Sequence, residues 1–394
     1  MSVVGLAHGT SHFCQLLLPA LFPWLSKDFG LSFAQLGSVA TIFFVCSAVG
    51  QALSGFLVDR VGPRPVMYAG LTCFAAAAFV GASAQGYFGL MLASIIAGIG
   101  NSPFHPIDFS ILNQRISPKR IGHAYSVHGI TGNLGWAFAT LFLVGLATAF
   151  SWRVALASAG VYVLIVLAVC VINREALATP SLHGPSGAAQ AKSNESAMAF
   201  LKLPVVWICW LFFFVLTFAL GAIQNFSTPA LQAMANVSLT TAAAALSGYM
   251  VVGAIGQVVG GFAMSRGWYD PDKGVALALG FSAAMLALAA TGVATGWGAE
   301  ALVAIVILAG FGQGMAAPSR DLLIKKATPK GATGRVYGTV YSGLDVGLAV
   351  APLLFGWLMD HGMPRGVFAG AAVALVLAVL TGLWVGRFVN RSTA

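Results

Sequence analysis

The chain has 394 residues, of which 58% are hydrophobic and 8% charged, with 47 glycines and a formal net charge of +9. A soluble domain carries about 25% charged residues, so this composition excludes an ordinary water-soluble core and makes lipid the main solvent. The basic excess is spread through short loops between apolar runs, which argues against a nucleic-acid surface.

A membrane-crossing helix needs ~20 apolar residues. Windows of that kind fall near 4–25, 36–58, 66–84, 87–112, 124–148, 153–172, 203–225, 240–264, 274–294, 300–323, 336–358 and 366–386. They predict an all-α integral membrane protein with 12 transmembrane helices, numbered here as spans 1 to 12. The first 26 residues lack Lys and Arg, and the first apolar run is too long for a signal peptide, so span 1 is expected to be retained. With the N-terminus inside, sixteen Lys and Arg residues fall in inner loops and tail against three outside (Lys27, Arg153 and Arg365). The positive-inside rule then puts both termini in the cytoplasm. Cys14, Cys46, Cys73, Cys170 and Cys209 lie within apolar runs without a Cys-x-x-Cys spacing, and read as free thiols.

Span 1 places His8, His12 and Gln15 at i, i+4 and i+7, one face of a helix. Paired His at i, i+4 suits a metal. No Glu stands beside the pair and spacing supplies no third ligand, so no metal is assigned. A satisfied structural pair and a cavity-facing pair that meets solute or protons both stay open.

Between spans 2 and 3, residues 55–66 read Gly-Phe-Leu-Val-Asp-Arg-Val-Gly-Pro-Arg-Pro-Val. This charged turn joins two apolar runs. The pattern Gly55-x-x-x-Asp59-Arg60-x-Gly62-x-Arg64 resembles the loop between the second and third spans of major facilitator superfamily transporters. The resemblance implies two pseudo-symmetric six-helix bundles and a conformational latch. In it the loop acid meets the start of span 11, here the amides near residues 337 and 338, and a basic residue closing span 4, here Arg115. A carboxylate at a helix N-terminus is favoured by the dipole.

Span 4 repeats the i, i+4, i+7 geometry with Asn101, His105 and Asp108, and Pro103 and Pro106 loosen its backbone. Residues 98–106 align with residues 310–318 at an offset of 212, which also pairs Gly122 with Gly334, Tyr125 with Tyr337 and Gly135 with Gly347. A worn copy of the loop motif, Gly261-Phe262-Ala-Met-Ser265-Arg266, echoes Gly55 to Arg60. Parallel six-span repeats belong to carriers in which two bundles rock about a midplane site. The mates of Asn101, His105 and Asp108 are Gln313, Ala317 and Arg320. Asp108 and Arg320 are expected to form, or contribute to, a cytoplasmic gate across the pseudo-twofold axis that closes in the outward-open state. The alternative pairs Arg320 within its own half and Asp108 with His105.

Span 5 carries His128 and Asn133, whose mates in span 11 are Val340 and Asp345. Asp345, with Tyr341 one turn before it and His105 and His128 near in depth, is a candidate for proton exchange. Residues 173–202 are the one long polar stretch and read as a cytoplasmic linker. The expected domains are thus 1–172 and 203–394, each a six-helix bundle, joined by 173–202. In span 7, Trp207, Trp210 and the run 212–214 suit an interfacial aromatic belt, with a substrate cage as the other reading. Glycines 248, 253, 256, 260 and 261 of span 8 and 129, 132 and 135 of span 5 fit either ordinary tight packing or helices that slide between halves.

Phe104-His105-Pro106, then Gly132-Asn133-Leu134-Gly135, resemble the fosmidomycin-resistance-like branch of the superfamily, as does His12-Phe13 before Leu16-Leu17-Leu18-Pro19. The branch implies proton-driven export of small polar or anionic compounds. Ser319-Arg320-Asp321 matches no assigned substrate.

These readings predict a monomeric secondary active transporter of the bacterial inner membrane. It moves a small, anionic organic solute by alternating access and proton-coupled efflux. Its partners are solute, protons and the bilayer, with no nucleic acid and no cofactor. A proton-coupled uptake symporter for a carboxylate is the closest rival. A membrane-embedded enzyme would need more ligands at fixed spacing, and a sensor would normally append a soluble domain. No Gly-x-x-x-x-Gly-Lys-Ser/Thr loop is present, so ion gradients are the expected energy source.

Overall fold

The computed structural model describes residues 2–117, 121–178, 202–292, 296–327 and 333–393. Among these, helices account for the regular structure and no strand occurs. Eleven helices are long and apolar enough to cross a membrane by length and composition. They correspond to spans 2 to 12: Phe33–Val61, Pro63–Ser83, Tyr87–Asn101 continued by Phe104–Arg115, Ile121–Ala149, Trp152–Ile172, Pro204–Ala235, Leu239–Ser265, Pro271–Thr291, Ala299–Ala327, Thr333–Asp360 and Arg365–Thr393.

Span 1 makes up the twelfth and departs from the continuous helix expected over 4–25. An α-helix runs over Ser2–Gln15, a 3-10 turn over Pro19–Leu21, and a second α-helix over Phe22–Phe29. Pro19 and Pro23 lack the N–H that a continuing helix requires. The backbone tightens at the break through Leu16 N–H to Phe13 O at 3.1 Å and Leu17 N–H to Cys14 O at 3.3 Å. Span 4 breaks too, between Asn101 and Phe104, at Pro103. Its repeat-mate, span 10, has only Pro318 and runs unbroken over Ala299–Ala327. One proline is tolerated; two within four residues are not.

Most helix pairings reproduce the repeat, although span 7 packs extensively on span 12 whereas span 1 barely touches span 6. In the first half span 1 packs on 5, 2 on 4, and 3 on 4 and 6; in the second, 7 packs on 11, 8 on 10, and 9 on 10 and 12. The repeat-mate glycines explain two of these pairings. A Cβ on Gly135 would strike the carbonyl of Gly9 in span 1, and one on Gly347 would strike the carbonyl of Phe214 in span 7. Backbones approach that closely only where the side chain is absent. The halves meet through span 2 on span 11 and span 5 on span 8, pairs that the same pseudo-twofold interchanges.

Span 8's glycines do not serve the interface between halves. Gly248, Gly253, Gly256 and Gly260 back onto Ile307, Gly310, Phe311 and Met315 of span 10, and on span 5 only Gly129 faces span 8, at Gln257. Tight packing within a bundle is therefore their role, and the sliding reading is set aside. Span 7's aromatic run divides: Trp207 is exposed, whereas Phe212 and Phe213 are fully buried and Trp210 stacks on Phe214. Only Trp207 suits a belt.

Candidate functional site

Both helix breaks fall next to polar side chains. Gln15 closes the first α-helix of span 1, and Asn101 closes the first part of span 4. Non-helical backbone at membrane depth is tolerated only where protein or a wet cavity satisfies it. A hydrogen-bond chain runs across four spans at this level. The Trp136 indole N–H donates to Gln15 Oε1 at 3.0 Å, Gln15 Nε2 to Asn101 Oδ1 at 3.4 Å, and Asn101 Nδ2 to Ser47 Oγ at 2.8 Å. Gln15 stays half-buried, so it carries the chain to the accessible side.

One to two turns away lies an imidazole cluster. Asp108, fully buried, has Oδ2 2.9 Å from His8 Nδ1 and 3.1 Å from His128 Nε2. The His8 and His128 rings stack at 3.4 Å, and the His8 ring lies 4.5 Å from His12 and 5.8 Å from His105. His12 packs on Trp136 at 4.3 Å. Four histidines and one acid from spans 1, 4 and 5 thus share one pocket of the first bundle. The converging metal-type donors are His8, His105 and His128, not the i, i+4 pair that spacing singled out.

The second bundle has no equivalent cluster among the described residues. Arg320 pairs with its neighbour Asp321, Nε to Oδ1 at 2.8 Å, and its guanidinium stands over the Phe213 ring at 5.4 Å. Tyr341 packs on Phe213 at 4.9 Å, and Gln313 Oε1 is buried without a partner. In this structure Arg320 pairs with Asp321, and Asp108 faces His8 and His128 rather than the His105 of the alternative pairing. With the halves closed at the opposite end, around Asp360 and Phe33, the gate expected of the outward-open state is not formed. Residues Gln224 and Asn225 of span 7, which the sequence reading passed over, are buried; Gln224 Nε2 and Asn225 Oδ1 lack partners.

Two further contacts join the halves at matching positions. Gln51 Nε2 donates to Asp345 Oδ2 at 3.3 Å, and Asn133 Nδ2 donates to Gln257 Oε1 at 3.1 Å. Asn133 and Asp345 are repeat-mates at the offset of 212. Gln51 and Gln257 are mates at 206, the offset that relates Gly55 and Arg60 to Gly261 and Arg266. The pseudo-twofold therefore presents an amide–amide bridge on one side and an amide–acid bridge on the other. Neither glutamine was singled out from the sequence, although the 206-residue offset was already visible in the loop motif.

The latch motif is described only in part. Arg60 is exposed and Gly62 adopts φ +85° between spans 2 and 3. Arg115 donates to the main-chain oxygen of Glu175. The side chains of Gly55, Asp59 and Tyr337 lie outside the described residues. Arg64 is half-buried at the start of span 3.

The profile described as Major Facilitator Superfamily matches residues 4–266 and 215–393. The chain belongs to the major facilitator superfamily. An uncharacterized MFS-type transporter of Bacillus subtilis is 26% identical, covering 96% of this chain and 90% of that protein. A hexuronate transporter of the same organism is 25% identical over 93% of this chain and 89% of its own length. The fosmidomycin resistance protein of Escherichia coli is 31% identical over 34% of this chain and 33% of its own. The match to that protein spans about a third of the chain. The fold is also that of a crystal structure of a D-xylose–proton symporter, with TM-score 0.76 at 15% identity, covering 97% of this chain and 95% of that one. This major facilitator protein is a multi-pass bacterial inner-membrane transporter, not an enzyme.

Proposed function

We propose that this transporter moves a small organic anion by alternating access, coupled to protons, in the direction of efflux. The carrying observation is the Gln51–Asp345 bridge, where, among the described residues, the pseudo-symmetric seam between halves substitutes an acid for an amide. A carboxyl that spans the two bundles makes its protonation state and their separation one linked equilibrium. Asp345 is accordingly the coupling acid. Arg320 supplies the cationic contact for the solute, with Gln313, Tyr341, Gln15, Asn101 and Asn133 orienting it and His12 and His105 lining the first-half side.

In this reading the halves are residues 1–172 and 203–394, joined by 173–202, and the excess of Lys and Arg in inner loops supports both termini in the cytoplasm. The hexuronate transporter's name supports a carboxylate-bearing solute. Proton-coupled uptake of a carboxylate is the second reading, since a carboxylate solute suits either direction.

Purified protein in proteoliposomes, screened against organic anions and neutral analogues with and without an imposed pH gradient, tests the proposal. Anion accumulation opposite to the proton flow supports efflux exchange, and accumulation with the proton flow supports symport. Indifference to the gradient across the whole panel rejects coupling.

A further inference from the structure

We propose that His8, His105, His128 and Asp108 bind one divalent d-block cation, Zn²⁺ being the reference ion, inside the first bundle. The donor nitrogens of the three imidazoles lie within 4.8 Å of one another. They are delivered by three separate spans, 1, 4 and 5. Asp108 adds a carboxylate whose Oδ2 faces both His8 and His128 and whose Oδ1 is buried without a hydrogen bond. Three imidazoles and one carboxylate are the ligand number and type of a closed four-coordinate zinc site.

The distances leave a defined adjustment. Zn–N bonds of about 2.0–2.1 Å require tetrahedral donors about 3.3 Å apart, so the imidazoles must draw together on binding. Side-chain rotations supply this for His8 and His128, whose Nδ1 and Nε2 already converge on Asp108 Oδ2 at 2.9 and 3.1 Å. His105 follows the helix break at residues 102–103, where the backbone hydrogen-bond ladder is interrupted. His105 is also the least buried of the four ligands, which gives the ion its way in.

His12 completes the surroundings. Both its ring nitrogens are buried without a hydrogen-bond partner, and its ring stands 4.5 Å from His8 and 6.5 Å from His105. A fourth imidazole so placed holds a water on the ion or substitutes for a ligand during entry. The donor set favours Zn²⁺, Cu²⁺, Ni²⁺ or Co²⁺ over Mg²⁺ and Ca²⁺, which prefer all-oxygen shells. The site lies wholly within one bundle and stands apart from the Gln51–Asp345 seam, and it shares His105 with the first-half lining of the solute path proposed above.

The test uses the full-length protein in lipid nanodiscs, titrated with Co²⁺ and followed by visible absorption. One Co²⁺ per chain is expected, with the intense bands of a four- or five-coordinate ion, displaced by Zn²⁺ and unaffected by Mg²⁺ or Ca²⁺. His8→Gln and His105→Gln should each weaken binding more than about tenfold, while His361→Gln, at an exposed histidine far from the cluster, leaves it unchanged. Zinc-edge X-ray absorption on the unaltered protein counts imidazoles independently of any variant's folding, and three are expected. No stoichiometric uptake, a pale octahedral cobalt spectrum, fewer than three imidazoles, or undiminished affinity in folded His8→Gln protein overturns the assignment.

Discussion

Asp360, the last residue of span 11, caps the start of span 2: its carboxylate accepts the Phe33 N–H at 2.6 Å and the Ala34 N–H at 2.7 Å. These are the first orphan amides of the helix, and a carboxylate there gains from charge-assisted bonding and the helix dipole. Around it Phe22, Phe33 and Phe226 bring rings of both halves to 6.0 and 6.3 Å, and Gly37 and Gly356 seat against opposing carbonyls of spans 11 and 2. The halves are therefore closed at this end. Asp360→Ala should weaken that closure by about 1 kcal/mol, the usual worth of a lost cap. A roughly fivefold rise in the open population follows, read as faster maleimide labelling of a cysteine placed at Phe226. Unchanged labelling would leave Asp360 a local cap only.

Asp345→Asn turns the amide–acid bridge into a copy of its symmetry mate. Solute exchange without a gradient should persist, because an amide still reaches Gln51. Dependence on an imposed pH gradient should disappear in proteoliposome flux. A variant that still follows the gradient would remove Asp345 from coupling.

Removing the Gln15 amide breaks the chain from Trp136 to Ser47. Gln15→Leu strands the Trp136 N–H, at a cost of about 1–3 kcal/mol for a buried unsatisfied group. Solute affinity should fall and the tryptophan emission should shift, while the membrane-inserted yield stays near wild type. A Gln15→Asn variant that restores affinity would show that the amide, not the volume, matters.

Gly135→Val and Gly347→Val should destabilise by similar amounts, about 1–3 kcal/mol for overpacking, because each glycine meets the same kind of carbonyl in its own bundle. Gly145→Val is the control, with nothing within 4 Å of the added carbon. Thermal unfolding in detergent distinguishes the three. A Gly347 variant as stable as wild type would deny the structural equivalence of the two contacts.

Much of the architecture was legible in the sequence. Span lengths follow from hydrophobic thickness, and the pair Gly135 and Gly347 marks close helix approach in both halves. The polar face His8, His12 and Gln15 was readable from period alone. What escaped depends on distance across the fold. Helical spacing puts His8 beside His12, but only packing of span 5 against span 1 brings His128 onto His8 and makes the real cluster. The sharing of Asp108 between those two rings likewise has no signature along the chain, so a gate with Arg320 was the natural expectation. Gln51 gains its role only where span 11 is set against span 2. Span 8's glycines showed how closely a partner comes without showing which partner.

The unequal treatment of spans 4 and 10 has a mechanical outcome. The half that holds the histidine cluster has two joints within its spans, at residues 16–18 and 102–103, whereas the corresponding helices of the other half, Pro204–Ala235 and Ala299–Ala327, run unbroken. Under the same torque the jointed half deforms internally and the stiff half turns as a lever. The stroke of such a carrier is then unequal by construction, with yielding concentrated in the half that holds the imidazole cluster and leverage in the half that holds Arg320.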